Sequence, residues 1–357
     1  MRLESFGRPE DTARRAHVKV AVTGLGYWGP QLVRNLQFID ACTQIVACDT
    51  DETRLKSVLR HYPSASGTTS FDQVLNDPDV EAVVLATPVG THFSLARQAL
   101  QAGKNVLVEK PLATSLKEAS ALVDQAKDAG LLVMAAHTFL YSPAVQRAKQ
   151  FIDEGQLGDP LYAQSSRVNL GIHQSDVSVI WDLAPHDLSI LTHWFDETPV
   201  SVSATGRASH GVGHADIAFI DLEFPSGCIA NVHLSWLAPT KMRRTTVVGS
   251  KRMLVYEDTN YEEPIKLYDK GVDIPDPKDF GEFRATYRSG DALSPRVESW
   301  EPLRAELEDF IARVADHQTP GRSEETAVNI VACIEAAETS LAQGGTVVKI
   351  DRFELGT

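Results

Sequence analysis

A parallel α/β domain followed by an α+β domain is the architecture this sequence predicts, on three observations. From His17 to about Thr138, short aliphatic and β-branched runs alternate with amphipathic stretches, the rhythm of a doubly wound parallel sheet covered by helices. A glycine-rich turn follows the first of those runs directly. Beyond Tyr141, strand-like segments succeed one another without intervening long helices, which describes an open, mostly antiparallel sheet.

Taken in order, the strands predicted for the first domain are Val18 to Val22, Gln44 to Cys48, Val80 to Ala86, Asn105 to Val108 and Leu131 to Ala136. All are rich in Val, Ile, Leu and Ala, as strands buried on both faces should be. Helices are predicted over Thr91 to Ala102, ended by Gly103, and over Ser115 to Ala129, ended by Gly130. A helix from Pro143 to about Glu154 opens the second domain. Strands follow over Leu161 to Asn169, Val200 to Ala208, Ala215 to Phe224, Cys228 to Trp236, Arg244 to Val248 and Met253 to Tyr256. In Ile217 to Phe224 both alternating sets carry apolar residues, so one face calls for cover by a helix or another subunit. Two closing helices, Pro302 to His317 and Glu324 to Gln343, precede a short strand from Thr346 to Ile350. Gly281 to Ser299 mixes charge, Gly and Pro without a usable period and is assigned to a loop or lid. The expected divisions are thus a flexible arm over 1–16, a dinucleotide-binding domain over 17–138, and a substrate-binding and oligomerisation domain over 139–357.

Composition narrows the class. A chain of 357 residues, 43% hydrophobic, can bury the cores of two domains. Its formal charge of -14 argues against nucleic acid and anionic membranes as partners, because both demand a basic surface. No apolar run approaches the roughly 20 residues of a membrane span, and the polar start Met1 to Arg15 lacks the apolar core of a signal peptide, so a cytoplasmic location is expected. The four cysteines show no CxxC spacing and read as free thiols, with Cys42, Cys48 and Cys333 in apolar, buried surroundings. No metal site is implied.

Three groups of residues carry chemistry. Gly24-Leu25-Gly26-Tyr27-Trp28-Gly29 lies between a strand and a helix, where glycine permits a tight turn and close approach of backbone amides to a pyrophosphate. Asp49 ends the next strand about 20 residues after the last glycine, where a carboxylate accepts hydrogen bonds from ribose hydroxyls. With Asp51 it would repel a 2′-phosphate, so NAD is expected rather than NADP. Thr87, Pro88 and His92 stand where a later strand meets its helix, a position bordering the cofactor crevice. Glu109-Lys110-Pro111 ends another apolar strand; Lys110 there can hydrogen-bond a substrate oxygen and stabilise alkoxide charge. Finally, Asp182 and His186 are spaced i,i+4, which on a helix would bring carboxylate and imidazole within reach of each other. The carboxylate is expected to orient His186 and raise its pKa toward working pH, fitting it to accept a hydroxyl proton while hydride leaves the carbon.

These signals, in this order, resemble the Gfo/Idh/MocA family of oxidoreductases over nearly the whole chain, from His17 to Ile350. The resemblance implies a Rossmann domain followed by a domain with an open, largely antiparallel sheet whose outer face forms a subunit interface, giving a dimer or tetramer. It implies catalytic Lys110, Asp182 and His186, and an NAD site at the glycine turn and Asp49. Family members commonly carry a glycine cluster before the aspartate, whereas Asp176 to Trp181 has none; Trp181 is expected to offer an apolar face to a sugar ring. Tyr141, Arg167 and Lys241 are further substrate candidates. The stretch Ser235 to Arg243 is similar to the branch that modifies sugars in amino-sugar pathways, where a ketone made at C3 is then aminated. The expected activity is oxidation of a sugar secondary hydroxyl, in aminoglycoside antibiotic biosynthesis or, alternatively, on a nucleotide sugar. Lys241 and Arg243 would suit a diphosphate, and the negative net charge would suit a polycation. An NAD-dependent glycosidase and a non-catalytic sensor are the remaining alternatives.

Overall fold

In the computed structural model, which describes residues 17–171, 177–209, 213–273 and 286–356, two sheets divide the chain. The first has strands β1 (Val18–Thr23), β2 (Cys42–Cys48), β3 (Ser66–Thr68), β4 (Val80–Leu85), β5 (Asn105–Glu109) and β6 (Val133–Ala136), all parallel, in the order β3-β2-β1-β4-β5-β6. Helices α1 (Gly29–Leu36), α2 (Glu52–His61), α3 (Phe71–Asn76), α4 (His92–Gln101) and α5 (Leu116–Ala129) make the crossovers or cover the faces. The strand order reverses between β1 and β4, the place where open α/β sheets leave a crevice at their carboxyl ends. Val20, Ala21, Ala82, Val83, Val106 and Leu107 are sealed from solvent, because helices lie on both faces. Short β3, Ser-Gly-Thr, carries no apolar pattern and adds a strand to those the sequence predicts.

The second unit opens with α6 (Pro143–Asp153), followed by β7 (Pro160–Leu170), α7 (Val179–Phe195), β8 (Ser201–Arg207), β9 (Ile217–Glu223), β10 (Ile229–Ser235), β11 (Leu237–Gly249), β12 (Met253–Glu257), β13 (Ile265–Asp273) and β14 (Thr286–Leu293). Helices α8 (Pro302–Ala315) and α9 (Arg322–Ala342) and strand β15 (Val348–Lys349) close the chain. The nine strands run β14-β13-β12-β11-β7-β10-β9-β8-β15, antiparallel except for the parallel pair β7 and β10. Ala218, Ile220 and Leu222 of β9 turn inward to the core beneath α7 and α9. On the other face Tyr162, Phe219 and Ile229 are exposed, and Phe219 stacks on His233 with ring centroids 4.4 Å apart.

Three expectations change. Residues 286–293, assigned to a loop or lid, form the edge strand β14 paired with β13; an edge strand carrying Thr, Arg, Ser, Gly and Asp shows no alternation to read. The part of that stretch over 281–285 lies outside the described residues. The closing helices do not belong to the second sheet alone. Leu303, Leu307, Phe310, Ile311 and Val314 of α8 pack with Leu32, Val33 and Leu36 of α1 in the first domain's core. Meanwhile α9 gives Ala327, Val328 and Val331 to the other face of the Rossmann sheet and Ile330, Cys333 and Ile334 to the second core. Cys42 is half-buried rather than buried; all four thiols are free, and burial pushes Cys42 up to about 12 and Cys48 to about 11. Among the described residues no helix is long and apolar enough to cross a membrane.

Candidate active site

The glycine turn between β1 and α1 separates two uses of glycine. Gly24 has φ +92, and a Cβ there would stand 2.5 Å from the carbonyl oxygen of Ala86; a Cβ at Gly29 would stand 2.3 Å from the carbonyl oxygen of Gly24. Both are needed for close backbone packing. Gly26 has nothing within 4 Å of its would-be Cβ, so the turn leaves open space above it, as a pyrophosphate cradle requires. Tyr27 and Trp28 project from the same turn, 83% and 45% exposed, with rings edge-to-face at 5.3 Å. Asp49, buried at the end of β2, accepts from the backbone amides of Leu25 at 2.7 Å and Asp51 at 2.8 Å. It therefore fixes the turn, and each carboxylate oxygen keeps a lone pair for another donor. Asp51 caps α2 by accepting from Thr53 and Arg54. The residues present fit a dinucleotide.

At the end of β4, Thr91 Oγ1 lies 2.8 Å from Thr87 Oγ1 and donates to the Pro88 carbonyl at 2.7 Å. His92 lies 2.8 Å from the Pro111 carbonyl and 2.9 Å from that of Thr87, and is 1% exposed. Burial holds its imidazole below its usual pKa. The ring thus lies between the β4 turn and the loop after β5, where the Lys110-Pro111 peptide is cis, and its single N–H donates to one of the two carbonyls. Its place among the cofactor contacts is corrected: His92 positions the two loops and has no surface to offer a ligand.

Lys110 is tied to α7 by two hydrogen bonds. Emerging from β5, its Nζ donates to the Asp182 carbonyl at 2.7 Å and to Asp182 Oδ1 at 3.1 Å, with the two side chains 14% and 23% exposed. Trp236 Nε1, at the end of β10, donates to Asp182 Oδ2 at 3.1 Å. Ser178 caps α7 and starts the helix that carries Asp182. Glu109 beside Lys110 is pushed up to about 7 by burial, against the pull of Lys110. His137, just past β6, is held down to about 4 by burial and Lys110, and neither ring nitrogen has a hydrogen-bond partner.

The expected contact between Asp182 and His186 is not made. Both oxygens of Asp182 are engaged by Lys110 and Trp236, and Pro185, inside the helix between them, removes one backbone hydrogen bond from this turn. His186 instead sets its ring edge-to-face on Phe139 at 5.0 Å, with Nδ1 buried and unpartnered. Its pKa runs opposite to expectation as well: burial first, then Lys110, Arg167, Arg243 and His137, hold it well below the usual imidazole value. The imidazole is neutral at pH 7.

The substrate candidates scatter. Tyr141 donates to Asp309 of α8 at 2.7 Å and lines a cavity of about 1160 Å³ with Arg147, Trp300 and Asp309, away from Lys110 and His186. Trp181 packs partly buried against both cores, so much of its apolar face is spent joining the two units. Lys241 stands exposed in the irregular part of β11, where the register shifts. Arg167 alone comes near His186, buried and paired with Asp187 at 2.6 Å. Sequence reasoning missed Phe139, Trp236 and Asp187; the last follows His186 directly, and a buried arginine on β7 demands such a partner.

Residues 18–137 match the oxidoreductase family with an NAD-binding Rossmann fold, and residues 145–255 match the GFO/IDH/MocA C-terminal domain. The chain is 28% identical over 274 residues to scyllo-inositol 2-dehydrogenase (NAD(+)) of Bacillus subtilis, covering 72% of this chain and 80% of that protein. It is 27% identical over 304 residues to UDP-N-acetylglucosamine 3-dehydrogenase of Acidithiobacillus ferrooxidans, covering 85% and 90%. The fold is also that of GenD2 from gentamicin A biosynthesis, solved with NAD, at a TM-score of 0.80 and 24% identity over 96% of this chain and 99% of that one. With two matched regions that together span well over half its length, the chain belongs to the Gfo/Idh/MocA family of NAD-dependent oxidoreductases.

Proposed function

We propose that this protein oxidises a secondary hydroxyl of a sugar ring, at C3, to a ketone that a transaminase can then use in an amino-sugar pathway. The observation that carries the reading is Lys110, at the crevice end of β5, held by Asp182 while neutral His186 stands one helical turn further along α7. NAD supplies the hydride acceptor. Gly24, Gly26 and Gly29 shape the turn that would receive its pyrophosphate, Asp49 would receive the adenosine ribose, and Thr87, Pro88 and Glu109 would border the nicotinamide end. Tyr27 and Trp28 would flank the pyrophosphate.

The Lys110 ammonium, fixed by two bonds to Asp182, donates to the substrate oxygen and stabilises the charge that develops as the C–H bond breaks. His186, uncharged, takes the hydroxyl proton through Nε2, since Nδ1 is buried out of a substrate's reach. Asp182 acts through Lys110 rather than through His186. The exposed Tyr162, Phe219 and Ile229 face supports self-association through the second sheet.

The test is NADH formation across inositols, hexoses, nucleotide sugars and aminoglycosides, with product mass. A ketone two hydrogens lighter with its glycosidic bond intact supports the reading; released aglycone would replace it with the glycosidase. His186→Ala should lower kcat by about 10²- to 10⁴-fold with NAD affinity nearly unchanged. Full turnover in that variant would remove His186 from the mechanism.

A further inference from the structure

Two arginines face each other beside His186. Arg167 on β7 and Arg243 on β11 are direct cross-strand partners, in the same register as Ser165 and Thr245, whose hydroxyls lie 2.8 Å apart. Ser165 in turn donates to Asp187 of α7 at 2.7 Å, so this is the sheet face that looks toward the catalytic helix. Both guanidinium groups lie against one ring: their carbons are 4.5 Å and 5.8 Å from the centroid of Phe139, the same ring on which His186 rests at 5.0 Å.

Like charges directly opposite on a sheet are destabilising. Among the described residues each arginine is bonded to a single carboxylate: Asp187 takes Nε and Nη2 of Arg167, and Asp258 takes Nη1 of Arg243 at 3.0 Å. That leaves Nη1 of Arg167 buried without a partner in a side chain only 5% exposed. Arg243, 32% exposed, donates among the described residues only through Nη1, so Nε and Nη2 are unspent. Unspent guanidinium donors in a partly desolvated place suit a planar or tetrahedral oxyanion, which arginine binds with two parallel bonds. The charges acting on His186 from Lys110, Arg167 and Arg243 are all positive. Each of these cations is paired with one carboxylate, so the ammonium groups of an aminoglycoside would meet no net negative charge here.

We propose that Arg167 and Arg243 form the receptor for an anionic substituent of the substrate, a carboxylate or phosphate carried by the sugar whose hydroxyl reaches Lys110 and His186. This rests on the dehydrogenase reading and adds the substrate class to it. The asymmetry of the pair assigns the parts: Arg167 is committed to holding α7 through Asp187, and Arg243 selects.

The experiment compares glucose, glucuronate, glucose 6-phosphate, UDP-glucose and the aminoglycoside kanamycin as substrates of the NAD-loaded enzyme. Calorimetric affinity for each is measured alongside, so that the outcome does not depend on turnover. Expected is at least a tenfold preference, in kcat/KM and in affinity, for one anionic form over glucose and kanamycin. Carboxylate, phosphate monoester and nucleoside diphosphate are told apart by which form wins. Arg243→Gln should cut that preference at least tenfold, and Arg243→Lys, which keeps charge but loses the fork, should restore only part of it. The proposal is overturned by glucose or kanamycin binding as well as every anion, or by an anion preference that Arg243→Gln leaves intact. Tight anion binding without NADH from any sugar would instead overturn the dehydrogenase reading and leave the receptor standing.

Discussion

Substituting alanine for glycine at two positions of one turn separates folding from cofactor binding. At Gly24 the added methyl meets the carbonyl oxygen of Ala86 at 2.5 Å in a backbone with φ +92. The left-handed conformation costs an L-residue about 1–2 kcal/mol and a forced contact about 1–3 more, so Gly24→Ala should lose roughly 2–5 kcal/mol. At roughly 2–4 °C per kcal/mol, the melting temperature of the cofactor-free protein should fall by about 4 °C or more. At Gly26 the same methyl touches nothing within 4 Å and needs no unusual φ. Gly26→Ala should therefore melt within about 2 °C of the parent. If the open space above Gly26 is where the pyrophosphate sits, that methyl should weaken NAD at least tenfold, about 1.4 kcal/mol. Thermal melts without cofactor and NAD titration by tryptophan fluorescence decide the matter. A Gly26→Ala protein that binds NAD like the parent would refute the placement of the pyrophosphate, and one that melts like Gly24→Ala would refute the distinction between the two glycines.

Three further outcomes are expected. If Asp49 receives the adenosine ribose as proposed, NAD should bind at least tenfold more tightly than NADP, because Asp49 and Asp51 outnumber the one cation beside them, Arg54. Asp49→Ala should narrow that gap while loosening the turn that Leu25 and Asp51 share with it, and equal affinities in the parent would sink the assignment. Light scattering at micromolar concentration should give a dimer or tetramer; a monomer would leave Tyr162, Phe219 and Ile229 exposed in solution. For pH, a depressed His186 stays neutral as pH falls through the unperturbed imidazole value of about 6.5, so it should add no acid limb to kcat/KM there, and a limb near 7 should belong to Glu109 and vanish in Glu109→Gln. An acid limb near 6.5 or above that disappears in Asp182→Asn would reinstate the contact between Asp182 and His186.

The Rossmann half was legible because its strands are apolar on both faces and its turns carry glycine for reasons of backbone geometry. Val20, Val83 and Leu107 lie in the strands predicted for them, and Gly130 ends α5 in the left-handed conformation, φ 65. What escaped was structure that does not depend on apolar pattern. Strand β3 is three small or polar residues added to a sheet edge by hydrogen bonds. Strand β13 does alternate, with Ile265 and Leu267 buried, but the polar strand β14 beside it shows no such signal. Long-range return of the chain was equally hidden: the apolar stripe of α8 shows that it packs, and nothing in that stripe says it packs on α1.

The site was legible in residue identity and not in pairing, and the reason is competition. An i,i+4 spacing predicts that Asp182 and His186 can meet, but a carboxylate goes to the strongest donors within reach. Lys110 offers a full positive charge at 3.1 Å and Trp236 an indole N–H at 3.1 Å, while a neutral imidazole buried against Phe139 offers neither charge nor an aligned donor. With Asp182 committed to Lys110 and Asp187 to Arg167, neither carboxylate of the helix serves His186, and the cations Lys110, Arg167 and Arg243 dominate its surroundings. The result assigns separate duties along α7. In the proposed reading Asp182 fixes the group that would stabilise alkoxide and His186 would take the proton against the cations around it, while Asp187, one residue on, anchors the buried arginine. Three adjacent functions on one helix thus depend on partners from β5, β7 and β10, which is why spacing within the helix could name the residues but not their bonds.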